Sequence, residues 1–255
     1  MPGRRSLAPP VTIAQARNPD MLHIPAGEDL GMSPDYLSPG RFIDSDHPSI
    51  RAFAVEAIGQ ATTDRDKAVA LFYRVRDGWR YDPFDLKLTH AHHTASQVLQ
   101  ANHGYCITKA VLLAALARAV GIPSAIGLAD VTNHLSSEKL TRQMGGSNLF
   151  VDHGFALMRI DGQWVKAAPA FNIELCNRFG VAPTEFDGTS DAILQEFDAG
   201  GRKHMEYVRH HGSWADLPFD KIERDFHAAY PDSPLIADAY SAAETRAGAG
   251  DPFNG

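Results

Sequence analysis

A chain of 255 residues is long enough for one well-buried domain with terminal extensions, and 44% hydrophobic with 22% charged residues is ordinary globular composition. Its net charge of −7 argues against nucleic acid or an anionic membrane surface as the main partner. No apolar run approaches the roughly 20 residues of a bilayer span, no signal core opens the chain, and two cysteines build no disulfide framework, so the expected location is cytoplasmic.

Residues 1–47, rich in Pro, Gly, Asp and Ser, read as an irregular lead-in. Pro48 suits the first position of a helix ending near Gly59. Asp64 caps a second helix, on which Val69, Phe72, Val75 and Trp79 recur at three- and four-residue spacing. His90, His92 and His93 cluster without the i, i+4 pairing of a zinc helix, and read as a solvated loop rather than a metal site. A short helix over 94–100 precedes Gly104-Tyr105-Cys106, where a long apolar helix begins and runs to Val120. Gly121 and Pro123 stop it.

Beyond Pro123 the texture changes. Residues 124–131 read as a strand and 132–147 as a loop. Residues 149–160 and 164–168 form a hairpin around Asp161-Gly162, a strong two-residue turn signal. The mixed aromatic and acidic runs 204–208 and 214–220 read as a helix face docked on the core. Helical patterns return over 217–230 and 234–245, and 247–255 should be loose. Helices first and antiparallel strands after predict one α+β domain over residues 48–246.

Cys106 carries the chemistry. A thiol at a helix start lies near unpaired N–H groups and the positive end of the macrodipole, which favour the nucleophilic thiolate. Such a nucleophile needs a base, and His153, at the start of the first hairpin strand, is the best candidate. Cys176 has no matching context and reads as packing; Trp164 reads as core support. Nothing forms a phosphate-binding glycine loop, a dinucleotide fingerprint or a serine nucleophile elbow, so no cofactor and no metal is expected.

Gly104-Tyr105-Cys106, the Ala/Leu-rich helix and Arg118-Ala119-Val120-Gly121-Ile122-Pro123 resemble the nucleophile helix of the transglutaminase-like cysteine enzyme superfamily. His153, Asp161-Gly162 and Trp164, eleven residues after the histidine, are similar to its second block. Residues 71–81 also resemble the helix preceding the family's nucleophile. The resemblance implies a papain-like α+β core in which N-terminal helices and the nucleophile helix pack on an antiparallel sheet. It further implies acyl transfer at an amide bond through a thioester, with Cys106 as nucleophile and His153 as base.

One position departs from the pattern: the aspartate that orients the family's histidine is replaced by Ala168. If the second hairpin strand continues, Asn172 shares the face of Ala168 and is a candidate orienter; Asp187 is a more distant one. The expected substrate is peptide-like or another amide, and the motifs leave open whether water or an amine acyl acceptor resolves the thioester. Two other readings remain: a non-catalytic binding or scaffold domain, and an amide-forming biosynthetic enzyme. The sequence carries no signal for oligomeric state.

Overall fold

The computed structural model describes residue 30 and residues 33–134, 136–194, 198 and 200–239. Most of the lead-in, the end of the last helical pattern and the tail 247–255 lie outside them. The first helices are α1 (Pro48–Ile58), α2 (Asp64–Gly78), α3 (His90–His93) and α4 (Ala95–Ala101). They surround α5 (Cys106–Ala119), in which every residue from Cys106 to Arg118 is buried. A helix apolar on all sides can only be central. This one is held at its far end by Arg118, which donates to Ser38 O at 2.6 Å, Ser124 O at 2.7 Å and Ala215 O.

On α5 lies an antiparallel sheet in the order β5-β4-β3-β6, made of β3 (Ser124–Asn133), β4 (Leu149–Ile160), β5 (Gln163–Ala167) and β6 (Met205–Trp214). Two further strands, β1 (Arg80–Tyr81) and β2 (His103–Gly104), pair in parallel just before α5. That pairing sets Tyr81 against Gly104 and so beside the start of the helix. The remaining helices are α6 (Glu138–Gln143), α7 (Ile173–Phe179) and α8 (Phe219–Ala229). Residues 234–239 are helical as well. One apolar cluster runs from Phe42 to Ala239.

The α+β expectation holds, and so do α1, α2 (capped by Thr63 rather than Asp64), the Cys106 helix and the hairpin. Four readings need correction. Residues 132–147 are not all loop: Ser137 accepts the Leu140 N–H and caps α6. Residues 205–214 form edge strand β6 rather than a helix face; its aromatic residues are sheet formers whose alternation is broken by two register shifts against β3. The histidine cluster is not a solvated loop, because Thr89 caps α3 and His93 is wholly buried. Finally, the lead-in does not end at the domain surface. Phe42 and Ile43 are buried, and the Asp216 carboxylate accepts the N–H groups of Arg41, Phe42 and Ile43.

Candidate active site

The start of α5 is built by a chain of close contacts. A Cβ on Gly104 would come 2.6 Å from Thr108 Oγ1, the atom that accepts the Tyr105 N–H at 3.0 Å. Thr108 thereby provides half of a capping box at the first turn. Tyr105 donates its hydroxyl to His93 Nε2 at 2.7 Å, and His93 Nδ1–H donates to Thr89 O at 2.9 Å. Burial pushes the His93 imidazole down to about 3, which fits a neutral ring with both nitrogens engaged.

One turn further on, Lys109 is wholly buried. Its ammonium donates to Arg76 O, Trp79 O and Ala170 O at 2.9, 2.7 and 2.8 Å. Burial pulls this group down to about 7. Three carbonyl acceptors act the other way, since only the protonated amine has three N–H bonds to give them. Lys109 therefore ties the end of α2 and the segment after β5 to the nucleophile helix.

Cys106 is 9% exposed, and the backbone N–H groups of Gly154, Ile107 and Cys106 itself lie where they favour its thiolate. The contact with Gly154 depends on a missing side chain, because a Cβ there would stand 2.8 Å from Ile107 Cα. The helix tip thus presses on β4 at the residue next to His153. His153 is 4% exposed, with its ring edge-on to Tyr207 at 6.0 Å between centroids. Among the described residues its Nε2 is buried without a hydrogen-bond partner. Cys106 and His153 border the same cavity of about 50 Å³. No hydrogen bond joins them among the described residues.

The electrostatics reverse the simplest expectation for the thiol. Burial pushes Cys106 up to about 11, outweighing the three N–H groups that favour its thiolate. Burial alone pushes His153 down to about 4. Both groups are neutral at pH 7 in this closed arrangement, and the site holds a thiol beside a free base rather than an ion pair.

Both candidate orienters, Asn172 and Asp187, bond to backbone N–H groups elsewhere. Strand β5 ends at Ala167, so period-two alternation does not extend to Asn172. Asn172 instead precedes α7, and its Oδ1 accepts the Tyr81 N–H at 3.1 Å. Asp187 is exposed, with its Oδ1 taking the N–H groups of Thr189 and Ser190. Trp164 packs edge-on against Tyr36 on β5, away from the cavity wall. Cys176 is buried on α7.

A second polar cluster abuts the site through Asp152, whose φ of +56° accompanies the β3–β4 bulge. His211 Nε2 lies 2.6 Å from Asp130 Oδ1 and 3.7 Å from Asp152 Oδ1. One ligand atom from each of these residues falls within 4.8 Å of the others, a donor set that suits a divalent transition ion. The Lys221 ammonium already stands among these acids, 2.6 Å from both Asp152 Oδ1 and Asp225 Oδ2. It supplies the cluster with a built-in counter-charge.

Sequence reasoning missed Gly154, Lys109, His93 and the cavity wall from the C-terminal helices. A lone glycine inside a strand pattern signals close backbone approach. A single lysine in the apolar run 107–117 signals a buried, saturated charge. The C-terminal wall had no such signal.

Residues 51–169 match the model of the transglutaminase-like superfamily. No curated protein matches the chain. Among solved structures, a candidate cysteine protease from Cytophaga hutchinsonii aligns at 18% identity and TM-score 0.41, over 56% of this chain and 45% of that one. A candidate protease from Parabacteroides distasonis aligns at 16% identity and TM-score 0.35, over 50% and 24% respectively. The chain therefore spans less than half the length of either. Over residues 51–169, where the Cys106 helix, the bulged strand and the hairpin all lie, this chain is similar to the transglutaminase-like superfamily.

Proposed function

We propose that the chain is a cysteine-dependent acyl-transfer enzyme that cleaves an amide bond through a thioester on Cys106. The observation that carries this reading is the shared cavity: the thiol at the helix tip and the imidazole of His153, whose Nε2 has no partner among the described residues, border one small enclosure. A buried nitrogen without a partner is costly, and such groups concentrate where chemistry uses them.

In the first half-reaction, His153 takes the thiol proton as Sγ adds to the carbonyl carbon. The C–N bond then breaks, the imidazolium passes its proton to the leaving amine, and a thioester remains. In the second, water adds to the thioester carbonyl and loses a proton to His153. The C–S bond breaks, the thiol regains its proton, and a carboxylic acid leaves. An amine in place of water would make the same intermediate a transfer product. The N–H groups of Cys106 and Gly154 converge at the sulfur and are suited to meet negative charge developing on the carbonyl oxygen.

Ala168, together with the absence of a partner for His153 Nε2 among the described residues, favours a second reading as a non-catalytic binding module. Intact-protein mass spectrometry separates the two. Mixed with activated acyl esters and thioesters, the enzyme should accumulate one acyl group on Cys106. Cys106→Ser should show none, and His153→Ala should slow acylation about 10²-fold or more. If no donor acylates Cys106 faster than it acylates a small thiol in solution, the enzyme reading is lost.

A further inference from the structure

Resting on the acyl-transfer reading, we propose that the acyl group admitted to Cys106 is short, apolar and uncharged, and that the C-terminal helices supply the wall that selects it. The cavity is bordered by Leu86, Leu140, Met144, Phe150, Phe226 and Ile236 among others, and no Asp, Glu, Lys or Arg is among them. Of the three tyrosines that border it, Tyr81, Tyr105 and Tyr230, the last two turn their hydroxyls to the protein instead of the opening. Tyr105 donates to His93, while Tyr230 donates to Leu149 O at 2.9 Å and accepts the Val151 N–H at 2.6 Å.

A charged occupant would lose its water and find no opposite charge in that wall. An aliphatic one exchanges water for side chains of its own polarity. Size sets the other limit. At about 10–15 Å³ for each water-sized occupant, the cavity holds roughly four heavy atoms, the scale of a propyl or isobutyl group.

Phe226 and Tyr230 lie on or just after α8, and Leu235 and Ile236 on the helical segment that follows. All four lie beyond residues 51–169. Ser233 fastens that segment by donating its hydroxyl to Gln143 O at 2.6 Å, at the end of α6, whose Leu140 forms the opposite wall. The catalytic pair thus comes from within the matched residues 51–169, and much of the selecting surface comes from chain beyond them.

Three methanethiosulfonates with short tails test the assignment: propyl, aminoethyl and carboxyethyl, the first two being nearly isosteric. In each case Sγ forms a disulfide with the reagent's tail sulfur as methanesulfinate departs and the thiol proton passes to buffer. Rates are read at Cys106 by peptide mapping and divided by those of a small thiol in solution. The propyl reagent should lead both charged ones at least tenfold. Leu140→Asp, at a partly buried position, should raise aminoethyl labelling relative to propyl at least threefold, whereas Leu140→Asn should not.

Equal or faster labelling by a charged reagent, no labelling by any of the three, or a ratio unmoved by Leu140→Asp would overturn the proposal. The wild-type ratio decides alone if that variant does not fold. Labelling needs no turnover, so the two readings fail separately. A propyl preference without an acyl-enzyme would sink catalysis and spare the pocket; an acyl-enzyme formed equally from charged and apolar donors would do the reverse.

Discussion

The start of α5 is supported from two sides by opposite means. On one side Lys109 engages three carbonyls, and His93 has both nitrogens paired. On the other, Cys106 and His153 face apolar side chains, and the imidazole Nε2 has no partner. Hydrogen bonding at Lys109 and His93 fixes the helix, whereas at the cavity the His153 Nε2 is left without a partner among the described residues. The contrast shows how an apolar cavity is kept in shape: rigidity is placed behind the Cys106 thiol, and an unpaired polar atom in front of it.

The support side breaks most visibly at Lys109. Lys109→Met leaves three buried carbonyls without a donor, and should cost about 3–5 kcal/mol in urea unfolding, at about 1–3 kcal/mol for each unsatisfied group with partial relaxation. A loss under 1 kcal/mol would mean that the clamp is dispensable.

The front side can be read by acid. His153 sits at about 4 in the folded protein against an ordinary 6.5. Between those values the unfolded chain binds the extra proton, so the contribution is full above pH 6.5 and lost as pH falls towards 4. It amounts to about 3 kcal/mol at most. His153→Gln should flatten that part of the stability–pH curve; an unchanged slope would show the ring to be hydrated.

Cys106 sharpens the contrast kinetically. With the thiol pushed up to about 11, iodoacetamide labelling mapped to Cys106 should keep climbing with pH well beyond 9. At pH 7 it should run about a hundredfold below a thiol of ordinary pKa, by thiolate fraction. A plateau below pH 8.5 would mean that the helix end outweighs burial after all.

The smallest expected effect lies at the joint between the two sides. Gly154→Ala puts a methyl 2.8 Å from Ile107 Cα and should cost about 1–3 kcal/mol by overpacking. It should also speed Cys106 labelling as the sulfur loses its tight seat. Unchanged melting and labelling together would remove Gly154 from the account.

Much of this was legible in the residues. The nucleophile helix announced itself through Gly104, an unbroken apolar run and the Gly121 stop, all local signals. The hairpin followed from Asp161-Gly162 in the same way. What stayed hidden depends on contacts distant in sequence. Residues 205–214 become a strand only because β3 offers an edge, and Asn172 leaves the sheet because β5 ends five residues earlier. The thiol's electrostatics were misjudged for a related reason: helix-end position can be read from sequence, whereas the water excluded by Phe226, Tyr230 and Ile236 cannot. His93 shows the same limit, since its partner Tyr105 lies across a helix boundary.

The absent side chain at Gly154 acts as a gauge. It lets a helix approach a strand until sulfur meets amide, and so fixes how far the nucleophile stands from the imidazole one residue away. Any related chain that fills this position must shrink residue 107 or retreat its helix, and with it the width of the slot where a carbonyl would sit. The reach of the pair is therefore tuned in steps of a single carbon, by a residue that has no side chain of its own to offer.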